Sequence, residues 1–254
     1  MKYFLLLCLS YLYLNANAHI FVYHRFGDSK HESTNTSLQE LEKEFEYFKA
    51  NNYKVVTVSK IVEKLKNKEE IPDNWVAFTI DDAYKSFYQN GLELFKKYNY
   101  PFTLFVYVEA TQKKYPDFMT WDEIKEASKY GEIELHSYSH KQLVKLTNEE
   151  IIKDTNLALE IFEKNLGFKP KAYSYPYGEY DERVKNEIKN FDFEYIMNQN
   201  NGSVNEKSDL FDLNRIALVG KINLEEKIKY KTLEANWIEP QVYPKDGILK
   251  HIKE

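Results

Sequence analysis

Two adjacent carboxylates, Asp81 and Asp82, end the apolar run Trp75–Ile80. Neighbouring like charges at the end of a buried strand are costly, and a cation beside one of them would offset the repulsion and leave the other free as a base. The alternative is a helix N-terminus, where Asp is favoured because it accepts hydrogen bonds from free backbone N–H groups. The pair alone leaves both interpretations open.

Two histidines, His136 and His140, lie four residues apart in the segment HSYSH. On a helical turn, side chains with this spacing share a face and can hold one ion together. Two imidazoles and one carboxylate form a common catalytic zinc set that keeps a position open for water or substrate. A pair of surface histidines near a helix start is the alternative.

The elements that must position these groups follow an alternating pattern. Predicted strands alternate with helices about seven or eight times, which is typical of a parallel sheet. We therefore predict a (β/α)7-8 barrel that is distorted or incompletely closed, with an open doubly wound sheet as the alternative. The predicted strands cover residues 19–23, 53–58, 75–80, 102–108, 132–135, 172–175, 193–197 and 213–219. The predicted helices include a short one over 59–66 and one over 86–98.

Polar residues of catalytic type follow several of these strands. His24, the Asp81–Asp82 pair, His136 and the segment 176–178 each come directly after a predicted strand. The carboxyl ends of parallel strands meet at one rim, so these groups should converge there. The chain has only 6 histidines, and the convergence of three of them with two carboxylates favours a metal site over chance.

Composition narrows the choice of partners and location. The 254 residues carry a net charge of -5 with no basic block, which argues against nucleic acid as a partner. Residues 1–18 have a positive start, an apolar stretch and an Ala-x-Ala ending, which predicts a cleaved signal peptide; an uncleaved anchor is the alternative. Cleavage would remove Lys2 and the only cysteine, Cys8. We predict an exported protein, periplasmic or secreted, with no disulfide and no membrane span after cleavage.

Short motifs in the chain resemble those of the polysaccharide deacetylase family (NodB homology, carbohydrate esterase 4). The segment 79–84 (TIDDAY) resembles the first motif of the family, 136–140 matches the second, and 175–178 (YPYG) resembles the third. The segment 23–26 (YHRF) resembles the circularly permuted subgroup that acts on exported poly-N-acetylglucosamine. This implies a NodB-like catalytic domain over residues 19–220, followed by an extension over 221–254 that packs on the same domain.

The resemblance implies a role for each matched position. Asp82, His136 and His140 would hold a divalent metal, most often zinc, with cobalt or nickel as alternatives. Asp81 would be the general base that deprotonates the attacking water, and a base adjacent to a metal ligand lies within reach of that proton. The backbone N–H of Tyr177 would help to stabilise the oxyanion, since a donor in a proline-fixed turn is preorganised.

The general acid has two candidates. The resemblance implies that His24 protonates the leaving amine in place of the late-motif histidine of the family. His251 is the alternative, in a C-terminal segment whose elements the sequence does not order. We favour His24 because it follows a strand at the expected rim.

The chain departs from the family pattern at several positions. Ile80 and Ala83 stand where the first motif has Phe and Gly, and the Ala raises a question about a tight turn. The third motif lacks the Arg that precedes its Pro and orients the base; Arg215 and Arg25 are candidates to replace it. The aromatic side chains of Trp121, Tyr138, Tyr177 and Trp237 could stack on sugars, with core packing as the alternative. We expect substrate contacts from Tyr138, Pro176 and Arg215.

The resemblance implies a metal-dependent hydrolase that removes N-acetyl groups from an exopolysaccharide, chitin-like polymer or peptidoglycan and releases acetate. Two alternatives stay open. One is an inactive carbohydrate-binding relative, suggested by the altered motifs, and the other is a metal hydrolase acting on another acyl or phosphoryl group.

Overall fold

The computed structural model describes residues 17–228 of the chain. The strands are β1 (His19–Tyr23), β2 (Arg25–Phe26), β3 (Asn35–Thr36), β4 (Lys54–Val55), β5 (Trp75–Ile80), β6 (Thr103–Val106), β7 (Glu132–Leu135), β8 (Ala172–Ser174), β9 (Tyr195–Met197) and β10 (Ile216–Ala217). The α-helices are α1 (Leu38–Ala50), α2 (Val58–Lys66), α3 (Leu92–Tyr98), α4 (Val108–Gln112), α5 (Trp121–Ala127), α6 (Asn148–Leu166), α7 (Glu182–Lys189) and α8 (Leu224–Ile228).

Eight of these strands form one parallel sheet in the order β10-β1-β5-β6-β7-β8-β9, with β4 also paired to β5. The whole of β1 pairs with Val76–Ile80 of β5, whereas β4 pairs with the start of β5 and β6 with its end. Strands β4 and β6 therefore share the other edge of β5. The sheet forms an open half-barrel, which confirms the predicted incompletely closed (β/α) barrel. All carboxyl ends of its strands face one rim.

Alternation along β5 decides which way the catalytic segment points. Val76, Phe78 and Ile80 pack into the larger hydrophobic cluster between the sheet and its helices. Trp75 and Ala77 pack into a smaller cluster with residues of the other strands. Because successive side chains of a strand point to opposite faces, the residue that follows Ile80 continues the second series. The first carboxylate therefore points to the interior of the half-barrel.

The structure differs from the predicted elements in several places. The strand predicted over 53–58 is only β4, because the hydroxyl of Thr57 accepts a hydrogen bond from the Lys60 N–H and starts α2. The helix predicted over 86–98 begins as a π-helical turn at Phe87–Gly91. Strands β2 and β3 form a small parallel pair that the sequence analysis missed.

Some predictions concern residues outside the described range. Residues 1–16 of the predicted signal peptide lie outside it, and so do Trp237 and His251. Ala18, the last residue of that predicted peptide, is buried and pairs with Val204. No helix between residues 17 and 228 has the length and apolarity needed to cross a membrane. The signal peptide and the domain boundaries stay predictions.

Candidate active site

Backbone hydrogen bonds extend the sheet past two strand ends and fix the candidate catalytic residues. The Asp81 N–H donates to the Tyr23 carbonyl at 2.9 Å, and the His136 N–H donates to the Val106 carbonyl at 3.0 Å. Both side chains are fully buried or nearly so. The two segments are therefore held at the rim by the same hydrogen-bond ladders that hold the sheet.

Three side chains converge to form a candidate metal centre. The ligand atoms of Asp82, His136 and His140 lie within 4.8 Å of one another. Asp82 Oδ1 is 2.9 Å from His140 Nε2 and 3.5 Å from His136 Nε2. This buried Oδ1 accepts no hydrogen bond of acceptable geometry from residues 17–228. A buried carboxylate oxygen facing two imidazole nitrogens fits a bound divalent cation.

The orientation of His136 supports this use of its Nε2 atom. Its Nδ1 lies 2.8 Å from the carbonyl oxygen of Ser174. A carbonyl can only accept, so Nδ1 carries the proton and Nε2 presents a lone pair toward Asp82. A second hydrogen bond of this kind fixes ring orientation and tautomer at metal sites in general.

The HSYSH segment is a loop and not a helical turn, so the predicted helical geometry is wrong. The Asp154 carboxylate of α6 accepts the N–H groups of Tyr138 at 2.9 Å and Ser139 at 3.0 Å. These bonds hold the segment in an irregular turn, in which both imidazoles still face the same carboxylate. The spacing predicted the convergence, but α6 supplies the geometry.

Backbone strain is concentrated at this rim. Nine non-glycine residues of the described chain have positive φ, and Asp82, Ala83, Ser137, His140 and Tyr177 are five of them. Left-handed backbone is unfavourable for residues with a Cβ, and such strain persists where surrounding contacts enforce it. Ala83 has a φ of 57°, so the turn after β5 places a residue with a Cβ in left-handed backbone and carries strain.

A buried arginine holds the candidate base. The Arg215 guanidinium donates to both oxygens of Asp81, each at 2.8 Å, and to the Ser174 hydroxyl at 2.7 Å. Its Nε–H donates to the carbonyl of Asn198 at 2.8 Å. Because Arg215 is fully buried, the prediction that it contacts substrate is wrong. Its position fits the base-orienting role that the sequence left open.

The other candidate for that role, Arg25, is engaged elsewhere. Its guanidinium lies 3.6 Å from the centroid of the Tyr84 ring and 2.7 Å from Asp28 Oδ2. His24 lies at the end of β1, half-buried, and its charge would lower the pKa values of both Asp81 and Asp82. The role of His24 as the general acid stays a prediction.

The electrostatics keep both carboxylates charged. Burial by itself raises the pKa of Asp81, but Arg215 outweighs it and the net pKa is lowered. Burial likewise raises the pKa of Asp82, but His140 and His136 hold it well below its usual range. Two ionised carboxylates are the states that a ligand and a general base require.

The pKa values of the two histidines are shifted in opposite directions. Burial lowers the pKa of His136 to about 4, so its ring is neutral near pH 7 and able to coordinate. Burial would also lower the pKa of His140, but the Asp82 carboxylate outweighs it and raises the pKa. A bound cation would need the neutral form of this imidazole, because a ligand histidine coordinates through a ring lone pair.

The turn at 176–178 follows strand β8 and lies beside His140. Pro176 is buried, and Tyr177 has a φ of 61° with its ring 4.6 Å from that of His140. A Cβ added at Gly178 would lie 2.6 Å from Cβ of Gln199, so this position requires glycine. The Gln199 amide in turn donates to Asp81 Oδ2 at 3.4 Å. Gln199 was missed because a lone glutamine in a polar loop carries no sequence signal.

Two aromatic residues singled out by the sequence pack in the core. Tyr138 is half-buried against the larger hydrophobic cluster. The Trp121 ring meets Phe162 edge-on at 6.4 Å, and its N–H donates to Gln112 at 2.9 Å. The rings in contact with His140 among the described residues are those of His136, Tyr177 and Tyr107, and Tyr107 was not predicted.

Comparisons with known proteins find a family match and similar sequences. The sequence model described as polysaccharide deacetylase matches residues 68–196. A poly-beta-1,6-N-acetyl-D-glucosamine N-deacetylase of Staphylococcus aureus (strain MSSA476) is 26% identical over 171 residues, covering 62% of this chain and 59% of the relative. The match thus spans less than two thirds of that relative.

Solved structures share the fold. The Streptococcus pyogenes deacetylase PplD, in complex with acetate, superposes with a TM-score of 0.77 at 18% identity, covering 85% of this chain and 98% of its own. IcaB from Ammonifex degensii gives a TM-score of 0.72 at 22% identity, covering 80% of this chain and 92% of its own.

Proposed function

The chain belongs to the polysaccharide deacetylase family, and we propose that it is a metal-dependent hydrolase that releases acetate from an N-acetylglucosamine-containing polysaccharide. The observation that carries the proposal is the convergence of Asp82, His136 and His140 beside Asp81, a charged carboxylate that Arg215 orients. A ligand set with an adjacent, separately held base fits the hydrolysis of an amide.

Asp82, His136 and His140 would hold the divalent ion, and we propose zinc, with cobalt or nickel as alternatives. Such an ion would polarise the acetyl carbonyl and lower the pKa of a water molecule toward about 7. The protein contributes a neutral His136 imidazole, oriented by Ser174, and a carboxylate that remains ionised.

The remaining steps belong to side chains at the rim. Asp81 takes a proton from the attacking water, and Arg215 keeps its carboxylate in one orientation. The Tyr177 backbone N–H faces the oxygen of the acetyl carbonyl as negative charge develops there. His24 gives a proton to the leaving amine as the carbon–nitrogen bond breaks. Pro176 fixes the turn that carries Tyr177, which holds this N–H in place.

We propose an exopolysaccharide of β-1,6-linked N-acetylglucosamine as the substrate, because the similar Staphylococcus aureus protein is a poly-beta-1,6-N-acetyl-D-glucosamine N-deacetylase. Chitin-like polymers and peptidoglycan are the other acetylated glycans that the site would accept. Export by the predicted signal peptide would bring the enzyme to such a polymer outside the cytoplasm.

Acetate release from defined oligosaccharides, measured with and without a chelator, tests the proposal. Wild type should release acetate from a β-1,6-linked pentamer, and the chelator should abolish the release. Asp81→Asn should retain zinc but lose at least about 100-fold in kcat, because the base is gone while the ligands remain. Asp122→Asn is the matched control, since Asp122 is 97% exposed.

Two outcomes would contradict the proposal. Full activity of Asp81→Asn would refute the base assignment. A wild type that binds glycan but releases no acetate with zinc, cobalt or nickel would instead be a non-catalytic relative. Phosphoesters and β-1,4-linked oligomers in the same panel would expose a different substrate class.

A further inference from the structure

A continuous row of aromatic rings leads away from the candidate metal centre. Ring centroids are 4.6 Å apart between Tyr177 and His140, and 5.2 Å apart between His140 and Tyr107. The row continues from Tyr107 to Phe118 at 5.5 Å and from Phe118 to Tyr115 at 6.3 Å. The rim thus carries an aromatic surface that extends beyond the groups needed for the reaction.

The two ends of this row are open to solvent. Tyr177 is 52% exposed and Tyr115 is 39% exposed, whereas Tyr107 and Phe118 between them are half-buried. Few large apolar side chains of the described chain are this exposed. Exposed aromatic rings that continue from a reaction centre are typical of a ligand-binding surface.

The loop that carries Tyr115 is fastened to the turn that carries Asp82. The Lys85 N–H donates to the Asp117 carbonyl at 2.7 Å, and the Met119 N–H donates to the Ala83 carbonyl at 2.9 Å. Backbone hydrogen bonds therefore join the loop that carries Tyr115 and Phe118 to the turn that carries Asp82. These bonds fix the distance of the two rings from the candidate metal centre.

Side chains reinforce this attachment. The ring centroids of Tyr84 and Phe118 are 4.8 Å apart. The Arg25 guanidinium also contacts the Tyr84 ring, 3.6 Å from its centroid. A cation over an aromatic face is an attractive contact that restrains the ring. Arg25 therefore contributes to the preorganised surface, which explains its burial near the rim.

We propose that Tyr115 and Phe118 form a second sugar subsite, which binds a pyranose of the same glycan chain next to the sugar that loses its acetyl group. The proposal rests on the proposed function, because it takes the acetyl group to lie at Asp82, His136 and His140. A pyranose has a face of C–H groups that packs on aromatic rings and a rim of hydroxyl groups that stays hydrated. The hydroxyl of Tyr107, which donates to Glu109 at 3.3 Å, adds a polar group beside the ring faces.

If this subsite binds sugar, the change in KM caused by removing the Tyr115 ring should depend on the length of the substrate. For a β-1,6-linked N-acetylglucosamine pentamer, Tyr115→Ala should raise KM by about 3- to 10-fold with kcat changed less than about 2-fold. A small aryl acetate does not reach the subsite, so its hydrolysis should be unchanged. Tyr115→Phe should behave as wild type, because the ring face is retained.

Tyr130→Ala is the matched control. Tyr130 is 42% exposed but precedes β7, so it lies at the opposite end of that strand from His136. Its removal should leave both substrates unaffected. Equal losses on the pentamer and the aryl acetate in Tyr115→Ala would mean a structural defect and would overturn the subsite, and so would an unchanged KM for the pentamer.

A binding measurement separates this inference from the proposed function. The dissociation constant of the pentamer, measured by calorimetry in an Asp81→Asn background, should rise by the same factor on adding Tyr115→Ala. A rise in the dissociation constant, with no glycan hydrolysed by the wild type, would refute the proposed function and support the subsite. If hydrolysis occurs and the dissociation constant does not change, the subsite alone is refuted.

Discussion

At the scale of single residues, the main finding is how Arg215 orients Asp81, the candidate base. The family places an orienting arginine just before the proline of its third motif, whereas here Ser174 lies near that place and the guanidinium comes from Arg215. Both oxygens of Asp81 accept from this side chain, which lies 134 positions later in the chain. Sequence alone left both Arg215 and Arg25 as candidates, because only the fold shows which guanidinium reaches the carboxylate.

Replacing this arginine tests its role as a positioning residue. Arg215→Lys keeps a positive charge but loses the two-pronged contact, so kcat should fall by about 10- to 100-fold with a much smaller change in KM. Since Arg215 lowers the pKa of Asp81, the acidic limb of the pH–rate profile should shift to higher pH. Kinetics between about pH 5 and 9 would measure both effects.

The matched control is Arg183→Lys, since Arg183 donates to Asn148 and to the Val144 carbonyl and not to Asp81. A wild-type acidic limb in Arg215→Lys, despite reduced kcat, would mean that the arginine acts only on stability. Arg215→Met should be less stable by about 3–5 kcal/mol, because it leaves a buried charge unpaired.

At the scale of the elements, sequence patterns located the main strands of the sheet and the ends of some of them. The strand β5 was predicted with its observed bounds, because its apolar run is bounded by a turn and by charged residues. Strand β4 was overestimated because a side-chain cap at Thr57 begins the next helix. The HSYSH loop was predicted as a helical turn because the deciding carboxylate, Asp154, lies on another element.

Strand β7 illustrates a further limit of pattern-based prediction. Its sequence EIEL alternates polar and apolar residues, which is typical of a strand with one face in water. Glu134 is nevertheless buried, and its carboxylate accepts the N–H groups of Lys171 at 2.6 Å and Ala172 at 2.7 Å. Burial raises the pKa of Glu134 to about 8. The polar side of this strand is therefore the interior of the half-barrel.

This buried acid makes stability depend on pH. The pKa of Glu134 is higher in the folded chain than in the unfolded chain, so its contribution is full below about pH 4.5 and is lost as pH rises through about 8. Glu134→Gln can accept the same N–H groups without titrating. Between pH 5 and pH 8 the wild type should lose at least about 1 kcal/mol more unfolding free energy than this variant.

Urea denaturation of both proteins at the two pH values measures this difference. Glu63→Gln is the control, because Glu63 is exposed on α2 and should not alter the pH dependence. Equal pH dependence in the wild type and Glu134→Gln would show that Glu134 ionises in the folded protein as it does in the unfolded chain.

At the scale of the whole molecule, the fold and the convergence of the candidate metal ligands were predictable for one reason. Strand and helix periodicity gave a parallel sheet, and a parallel sheet delivers the residues after its strands to one rim. Gln199 and the Tyr115–Phe118 pair were missed because they lie in loops, where no periodicity marks a side chain as functional. Their roles depend on contacts with the turns that follow β5 and β8, which only the folded chain brings together.

The convergence of Asp82, His136 and His140 indicates that folding and metal binding are coupled. Asp82, His136 and His140 come from two segments that meet only in the folded chain, so a divalent ion should bind the folded state in preference. Zinc at about 100 times its dissociation constant should add about 2.7 kcal/mol to the unfolding free energy, and a chelator should reverse this. His136→Ala should lose the zinc-dependent rise in Tm. His31→Ala should retain it, because His31 is an exposed residue paired with Asp28. A zinc-dependent rise in Tm that persists unchanged in His136→Ala would place the ion elsewhere and remove the basis for the proposed reaction.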